Sequence, residues 1–358
     1  MKKKLMMAAA LAALCQQAAA QSNVTVYGLI DSGLAFESGS AAGAVTKVTG
    51  GIGAGSRLGF KGSEDLGGGT KAIFLVESGI LVDTGASGQG GLAFGRQSFV
   101  GLGNARLGTL TVGRQYAPHY LATVFADPFS SGTSADEKNL MHAVSDGGRM
   151  SNSVKYATPT WNGLSGEVVY AAGESTADHS AGNEGGFALA WDAGALSLRA
   201  AYHTKNNDTA TSNLERARNA FVAATYAFPM AKLHLGYGVN KGPFSSTLRN
   251  ASNPYGYAVA PTAATLTDDS RDALVGLTVP LGAHVLLASW IHKDDRTAAD
   301  RDADQFGVGY RYNLSLRTSL YAVYARMLND NGAPYTLGNA SDGGSGDRAV
   351  NLGMQYMF

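Results

Sequence analysis

Apolar side chains recur at every second position through one strand-length run after another. In the final run Phe358, Tyr356, Met354, Leu352 and Val350 are apolar, while Gln355, Gly353 and Asn351 between them are polar or small. Leu196, Leu198, Ala200 and Tyr202 alternate with Ser197, Arg199, Ala201 and His203, and Phe306, Val308, Tyr310 and Tyr312 with Gln305, Gly307, Gly309 and Arg311. A period of two marks a β-strand with unlike faces. About sixteen such runs occur, near 24–34, 55–62, 69–79, 94–103, 108–115, 151–158, 164–171, 184–191, 195–204, 216–227, 231–240, 270–279, 283–292, 303–312, 316–327 and 347–358. About nine to eleven tilted strand residues cross a bilayer.

The connections alternate in length. Short ones such as Gly67-Gly68, Asp192-Ala193-Gly194, Phe228-Pro229-Met230 and Pro280-Leu281-Gly282 carry turn residues, while long polar stretches sit at 35–54, 116–148, 205–215, 241–269 and 328–346. Short turns on one rim and long loops on the other are barrel anatomy, with the short rim periplasmic. Closure also removes the edges that so large an open sheet would expose. The fold class expected is therefore all-β: a transmembrane antiparallel β-barrel of sixteen strands. No uninterrupted apolar stretch long enough for a spanning helix follows the first twenty residues, which excludes a helical membrane protein.

Those first twenty residues read as a secretory signal peptide (1–20), leaving a barrel over 21–358: Lys2, Lys3 and Lys4, an apolar core from Leu5 to Leu14, then Ala18-Ala19-Ala20. The sole cysteine, Cys15, lies inside it. Removing its three lysines from 28 basic residues leaves 25 against 28 acidic ones, which suggests no nucleic-acid partner. The histidines show no metal-ligand spacing, and Gly51-Ile52-Gly53-Ala54-Gly55 opens no helix pattern, so neither metal nor cofactor is expected. His292-Lys293-Asp294-Asp295 could suggest a hydrolase, but no nucleophile is singled out beside it, and no catalytic residue is assigned.

The stretch from Tyr116 to Gly148 shows no convincing period and is too long to be an idle connection. Tyr116, Tyr120, Phe125, Pro128 and Phe129 make its first half apolar, and it carries the acids Asp127, Asp136, Glu137 and Asp146. We read it as a constriction loop folded into the lumen. Strand parity then assigns the wall it faces. Leu58 and Phe60 outward put Arg57 and Lys61 inward, and Phe74 and Val76 outward put Lys71 and Glu77 inward. Phe99 outward implies Arg96 and Ser98 inward, and Val154 and Tyr156 outward imply Ser153, Lys155 and, by extension, Ser151 and Arg149 inward. Arg114 stands where the chain leaves the wall, and Asp31 and Glu77 are candidate lumen partners for these cations. The expectation is a basic wall of Arg57, Arg96, Arg114, Arg149 and Lys61 facing an acidic loop, with Glu77, Lys71 and Asp31 lining the pore. Rings of side-chain charge select ions this way.

Val24-Thr25-Val26-Tyr27-Gly28-Leu29-Ile30-Asp31, Gly55-Ser56-Arg57-Leu58-Gly59-Phe60-Lys61-Gly62-Ser63-Glu64-Asp65-Leu66-Gly67, Arg96-Gln97-Ser98-Phe99-Val100-Gly101-Leu102, Gly113-Arg114-Gln115-Tyr116 and Asn152-Ser153-Val154-Lys155-Tyr156 run in this order to Phe358. The series resembles the general-diffusion porins of Gram-negative bacteria, the neisserial and β-proteobacterial branch in particular. The resemblance implies a trimeric outer-membrane channel whose third loop enters each lumen. It implies that Arg57 and Arg96 belong to the basic cluster at the constriction, with Arg149 offset from a family arginine because Ser151 occupies the aligned place. It also implies that Phe358 is a signal to the barrel-assembly machinery, with lipid and lipopolysaccharide as surroundings. Leu75 departs from the pattern, since a polar residue is frequent there. The expected function is passive diffusion of small hydrophilic solutes and ions with mild anion preference. The alternatives are a substrate-specific channel of the same fold, with Tyr116, Tyr120 and Phe129 as a binding track, and an outer-membrane hydrolase.

Overall fold

Strands form where the alternation is strongest, and together they close on themselves. The computed structural model describes residues 23–141, 148–176, 178–209, 212–246, 248–259 and 268–358. The expected signal peptide and Asp146 lie outside the described residues. In chain order the first segments are β1 (Asn23–Ser40), β2 (Gly43–Gly50), β3 (Arg57–Gly67), β4 (Thr70–Leu81), β5 (Ala86–Ser87), β6 (Gln97–Asn104), β7 (Gly108–Tyr116), β8 (Arg149–Ala157) and β9 (Leu164–Ala171). The rest are β10 (Glu184–Ala193), β11 (Leu196–Lys205), β12 (Ala217–Ala227), β13 (Lys232–Lys241), β14 (Asp269–Leu281), β15 (His284–Asp295), β16 (Ala303–Asn313), β17 (Thr318–Asn329) and β18 (Arg348–Met357).

Leaving aside β2 and the two-residue β5, sixteen strands make one closed antiparallel wall. β1 pairs with β18 from Leu29↔Met357 to Ser38↔Arg348, and the backbones of Gly28 and Phe358 exchange two hydrogen bonds of 3.0 and 3.1 Å beyond that ladder. Gly28 is obligatory at this seam, because a Cβ there would stand 2.3 Å from the Phe358 ring. Val100, Leu102, Val112, Phe187, Leu189, Val222, Phe306, Val308 and Leu352 are exposed on the outer surface. In water such a surface would be unstable, and in lipid it is solvated. Among the described residues no helix is long and apolar enough to cross a membrane.

Two features depart from the expected layout. β2 lies within the stretch expected to be a long polar loop, and pairs with the outer half of β1 while β3 pairs with its inner half. Gly50 lies opposite Ser32 and Arg57 opposite Leu29, so residues 51–56 have no place in the ladder and turn into the lumen. The glycines at 51, 53 and 55 suit this crowded excursion: a Cβ at Gly53 would stand 2.8 Å from both the Asp31 carboxylate and the Tyr321 ring.

The second departure is a helix, α1 (Pro118–Ala126), inside the stretch expected to be irregular. Pro118 starts it, where a missing N–H costs nothing. Its buried positions Pro118, His119, Ala122, Thr123 and Ala126 form a single stripe. The stripe packs on the inner face of β10–β13. Beyond it Phe129, Leu140 and Met141 join Phe221, Leu274, Leu287, Ile291, Val323 and Met327 of the inner wall in one apolar cluster. Burial stabilises each large member by about 1.5–3 kcal/mol. One side of the lumen is thus filled, and the water path is pushed toward β3, β4, β7 and β8.

Candidate functional site

The remaining opening is a cavity of about 640 Å³ between that wall and the infolded loop. Arg57 and Arg96 approach it from the wall, and Arg149 from the start of β8. Glu77 fixes the base of this group. Its carboxylate accepts from Arg96 Nε (2.7 Å) and from the Tyr27 hydroxyl (2.8 Å). Tyr116 ties the group together, its hydroxyl oxygen accepting from Arg96 (2.8 Å) and from Arg149 (3.1 Å). The Arg149 guanidinium lies 4.8 Å from the Tyr116 ring centroid, and Tyr120 stacks on Tyr116 at 5.3 Å. These aromatics support the arginines from the loop side.

The facing side is also cationic. Lys138 and Arg249 line the cavity with Ser130 and Ser131, and no carboxylate lines it among the described residues. The acids expected to face the arginines are buried inside the loop. Asp127 accepts from the N–H groups of Phe129 (2.9 Å) and Ser131 (2.8 Å), closing the turn after α1. Glu137 accepts from the hydroxyls of Ser131 and Thr123. Asp136 accepts from the Lys138 N–H (2.8 Å) and pairs with Lys138 Nζ (2.9 Å) and Arg249 (3.2 Å). A buried carboxylate is tolerated only where donors replace its water, and here the loop supplies them with Arg249 as the one donor from another connection.

The carboxyls of Asp127, Asp136 and Glu137 lie within 4.8 Å of one another. Burial, then the charges of Asp136 and Asp127, push Glu137 well above the usual carboxylate range. Burial pushes Asp127 up to about 6. Burial also drives Asp136 upward, but Lys138 and Arg249 outweigh it and leave that group below its ordinary value. Burial and the two neighbouring acids thus favour the protonated form of Glu137. Five of the six carboxyl oxygens already accept a donor, and Glu137 Oε2 is buried without one.

The other expected pore residues are placed as follows. Asp31 is fully buried and accepts from the Tyr321 hydroxyl (2.8 Å) and the Gly53 N–H (2.9 Å), so it anchors the 51–56 excursion and does not line the pore. Glu77 is likewise buried beneath the arginines. Lys71 is exposed near the short-turn end of β4, about 20 Å along the strand from Glu77. Lys61 lies 5.3 Å from the Tyr27 ring centroid, below the cavity. Arg114 faces outward, in step with exposed Val112 and opposite Ser98, and donates to Gly95 O and Ser151 Oγ at 2.7 Å each. Parity also places Phe99 inside, opposite Leu75, because Val100 pairs with outward Phe74. Arg96 nevertheless enters the lumen, because it precedes the first paired residue of β6 and escapes the alternation.

Lys138 and Arg249 are the lining cations that sequence reasoning missed. Lys138 stands between two acids and the apolar Leu140, with no period to orient it. Arg249 lies in a long loop, where parity says nothing. That loop carries few other charges, which is the one signal that could have pointed to it.

Residues 8–332 match the Gram-negative porin family. This chain belongs to it. An outer membrane porin protein of Bordetella pertussis is 31% identical over 362 residues, spanning 90% of this chain and 93% of the relative. Outer membrane porin protein 32 of Delftia acidovorans is 31% identical over 380 residues and spans 100% of both chains. Among solved structures, an anion-selective porin from Comamonas acidovorans superposes with a TM-score of 0.74 at 26% identity, over 94% of this chain and 100% of its own. The porin is accordingly a multi-pass β-barrel of the outer membrane and a diffusion channel, not an enzyme. The hydrolase alternative gains no support from these relatives.

Proposed function

We propose that this porin passes small hydrophilic anions in preference to cations, through an opening whose charged lining is basic on both sides. The supporting observation is the lining itself. Arg57, Arg96, Arg149, Lys138 and Arg249 border the cavity, and the acids of the loop are turned away from it. One unit charge at about 4 Å is worth roughly 1 kcal/mol in water and several-fold more beside low-dielectric walls. Screening over about 10 Å at 0.1 M salt makes the preference weaker as salt rises. The solved relative described as an anion-selective porin is in keeping with this.

The test is the permeability ratio in planar bilayers for Arg57→Gln and Lys138→Gln. Each substitution is expected to lower the anion-to-cation ratio by about two- to five-fold at low salt, which is up to about 1 kcal/mol. Ratios equal to the parent's would sink the assignment. A homotrimer in lipid and lipopolysaccharide, residues 1–20 as a cleaved signal and Phe358 as a mark for the assembly machinery belong to the same proposal. Native mass spectrometry of the outer-membrane form tests the first two, with a monomer or an uncleaved chain as the contrary result.

A further inference from the structure

Arg249 makes more contacts than a pore charge requires. Nη1 donates to Asp136 Oδ2 (3.2 Å) and Asn139 Oδ1 (3.1 Å) on the infolded loop. Nη2 donates to the carbonyl oxygens of Asn339 and Asp342 (3.1 Å) on the connection between β17 and β18. One planar fork thus joins three separate connections, its own between β13 and β14 included. Asn139 extends the joint, accepting the Gly338 N–H (3.0 Å) and donating to Gln305 on β16 (2.9 Å). Gly338 leaves room for it, since a Cβ there would stand 3.0 Å from Arg249 Cζ.

We propose that Arg249 is a positioning residue that sets the width of the opening, by pinning the infolded loop to the two long connections above it. This rests on the infolded loop being the constriction. The chemistry favours arginine specifically: a lysine keeps the charge but cannot present paired donors to two loops at once. The joint is also separable from loop folding. The two long connections hold each other independently, Tyr255 donating to Tyr335 O (2.7 Å) and Tyr257 to Ala333 O (3.1 Å). Losing Arg249 therefore removes the infolded loop's charged tie to these connections without dissolving the structure above it, while the apolar cluster and the Gln305 hydrogen bonds still hold the loop to the wall.

Single-channel recording of Arg249→Lys, Arg249→Gln and Asp136→Asn in planar bilayers tests this. Arg249→Lys, which keeps the charge, is expected to show larger open-channel current variance and closure at lower voltage, with less change in ion preference than Arg249→Gln. Arg249→Gln is expected to show the same loosening and a reduced anion preference, a split that simple misfolding does not produce. Asp136→Asn, which leaves Arg249 in place but weakens its charged partner, is expected to loosen the channel and keeps the test open if an Arg249 variant fails to assemble. Variance and closing voltage equal to the parent's in Arg249→Lys and Asp136→Asn would overturn the proposal. Failure of the anion reading is visible separately, in the ion preference of the unmodified channel.

Discussion

Replacing Glu137 probes the infolded loop at its most buried polar point. Its side chain is fully buried, and one carboxyl oxygen receives hydroxyl hydrogen bonds from Ser131 and Thr123. Glu137→Ala strands both hydroxyls at about 1–3 kcal/mol each, so the loop loses on the order of 3 kcal/mol of local stability. Glu137→Gln keeps an acceptor for both hydroxyls and copies the neutral acid, and should cost no more than about 1 kcal/mol. The sign of the pH dependence follows from the raised pKa values. The loop is most stable while these carboxyls are protonated. It loses stability as pH climbs from the ordinary carboxylate range through about 6 for Asp127, and Glu137, also raised, adds to the loss. The slope is at most about 1.4 kcal/mol per pH unit for each carboxyl that must ionise. Hydrogen exchange of the Asp127–Met141 amides, compared between parent and Glu137→Gln at each pH of a series, reads this directly because intrinsic exchange cancels. The parent should lose protection relative to the glutamine variant as pH rises. Parallel curves for the two proteins would refute the upward shift of Glu137.

Three further substitutions test other joints. Tyr321→Phe removes a donor to Asp31 and an acceptor for the Gly53 N–H, both at 2.8 Å. It should cost about 1.5–3 kcal/mol and raise exchange in residues 51–56; unchanged protection there would contradict the anchoring role. Phe129→Ala empties a buried site in the apolar cluster and should cost the loop's packing about 3–5 kcal/mol, read as larger and more variable conductance, and a parent-like conductance trace would count against the packing described. Gly28→Val places side-chain atoms in the Phe358 ring and should lower the temperature at which the barrel loses its sheet signal by circular dichroism; an unchanged temperature would contradict the close seam.

The barrel was legible because lipid and water on opposite faces impose a period of two, and that period survives wherever pairing is regular. Arg57, Arg96 and Arg149 converge in space as their positions suggested. Arg57 does so by parity, whereas Arg96 and Arg149 do so past breaks in the alternation, before the first pair of β6 and at the shift between Ser153 and Met150. Arg114 was assigned to the wall from its place at the strand end, although parity with Val112 alone would have turned it outward. The register shifts between Gly113 and Gln115, and position 114 stays in step with outward Val112. Residues 51–56, α1 and the buried acids were illegible for one shared reason. Each is shaped by contacts within the lumen, such as the Thr133 N–H on Ile52 O at 2.6 Å, and these leave no local period. Charge in a loop was taken as charge facing water. Asp127 and Glu137 instead find their donors within the loop, and Asp136 finds its own in Lys138 and Arg249, which also border the opening.

The zero-current potential of the unmodified channel across a salt gradient tests that opening most directly. With the lining basic on both sides, the potential should carry the sign of anion selectivity, and its magnitude should fall as the overall salt concentration is raised. A potential of cation-selective sign, or one indifferent to ionic strength, would contradict it.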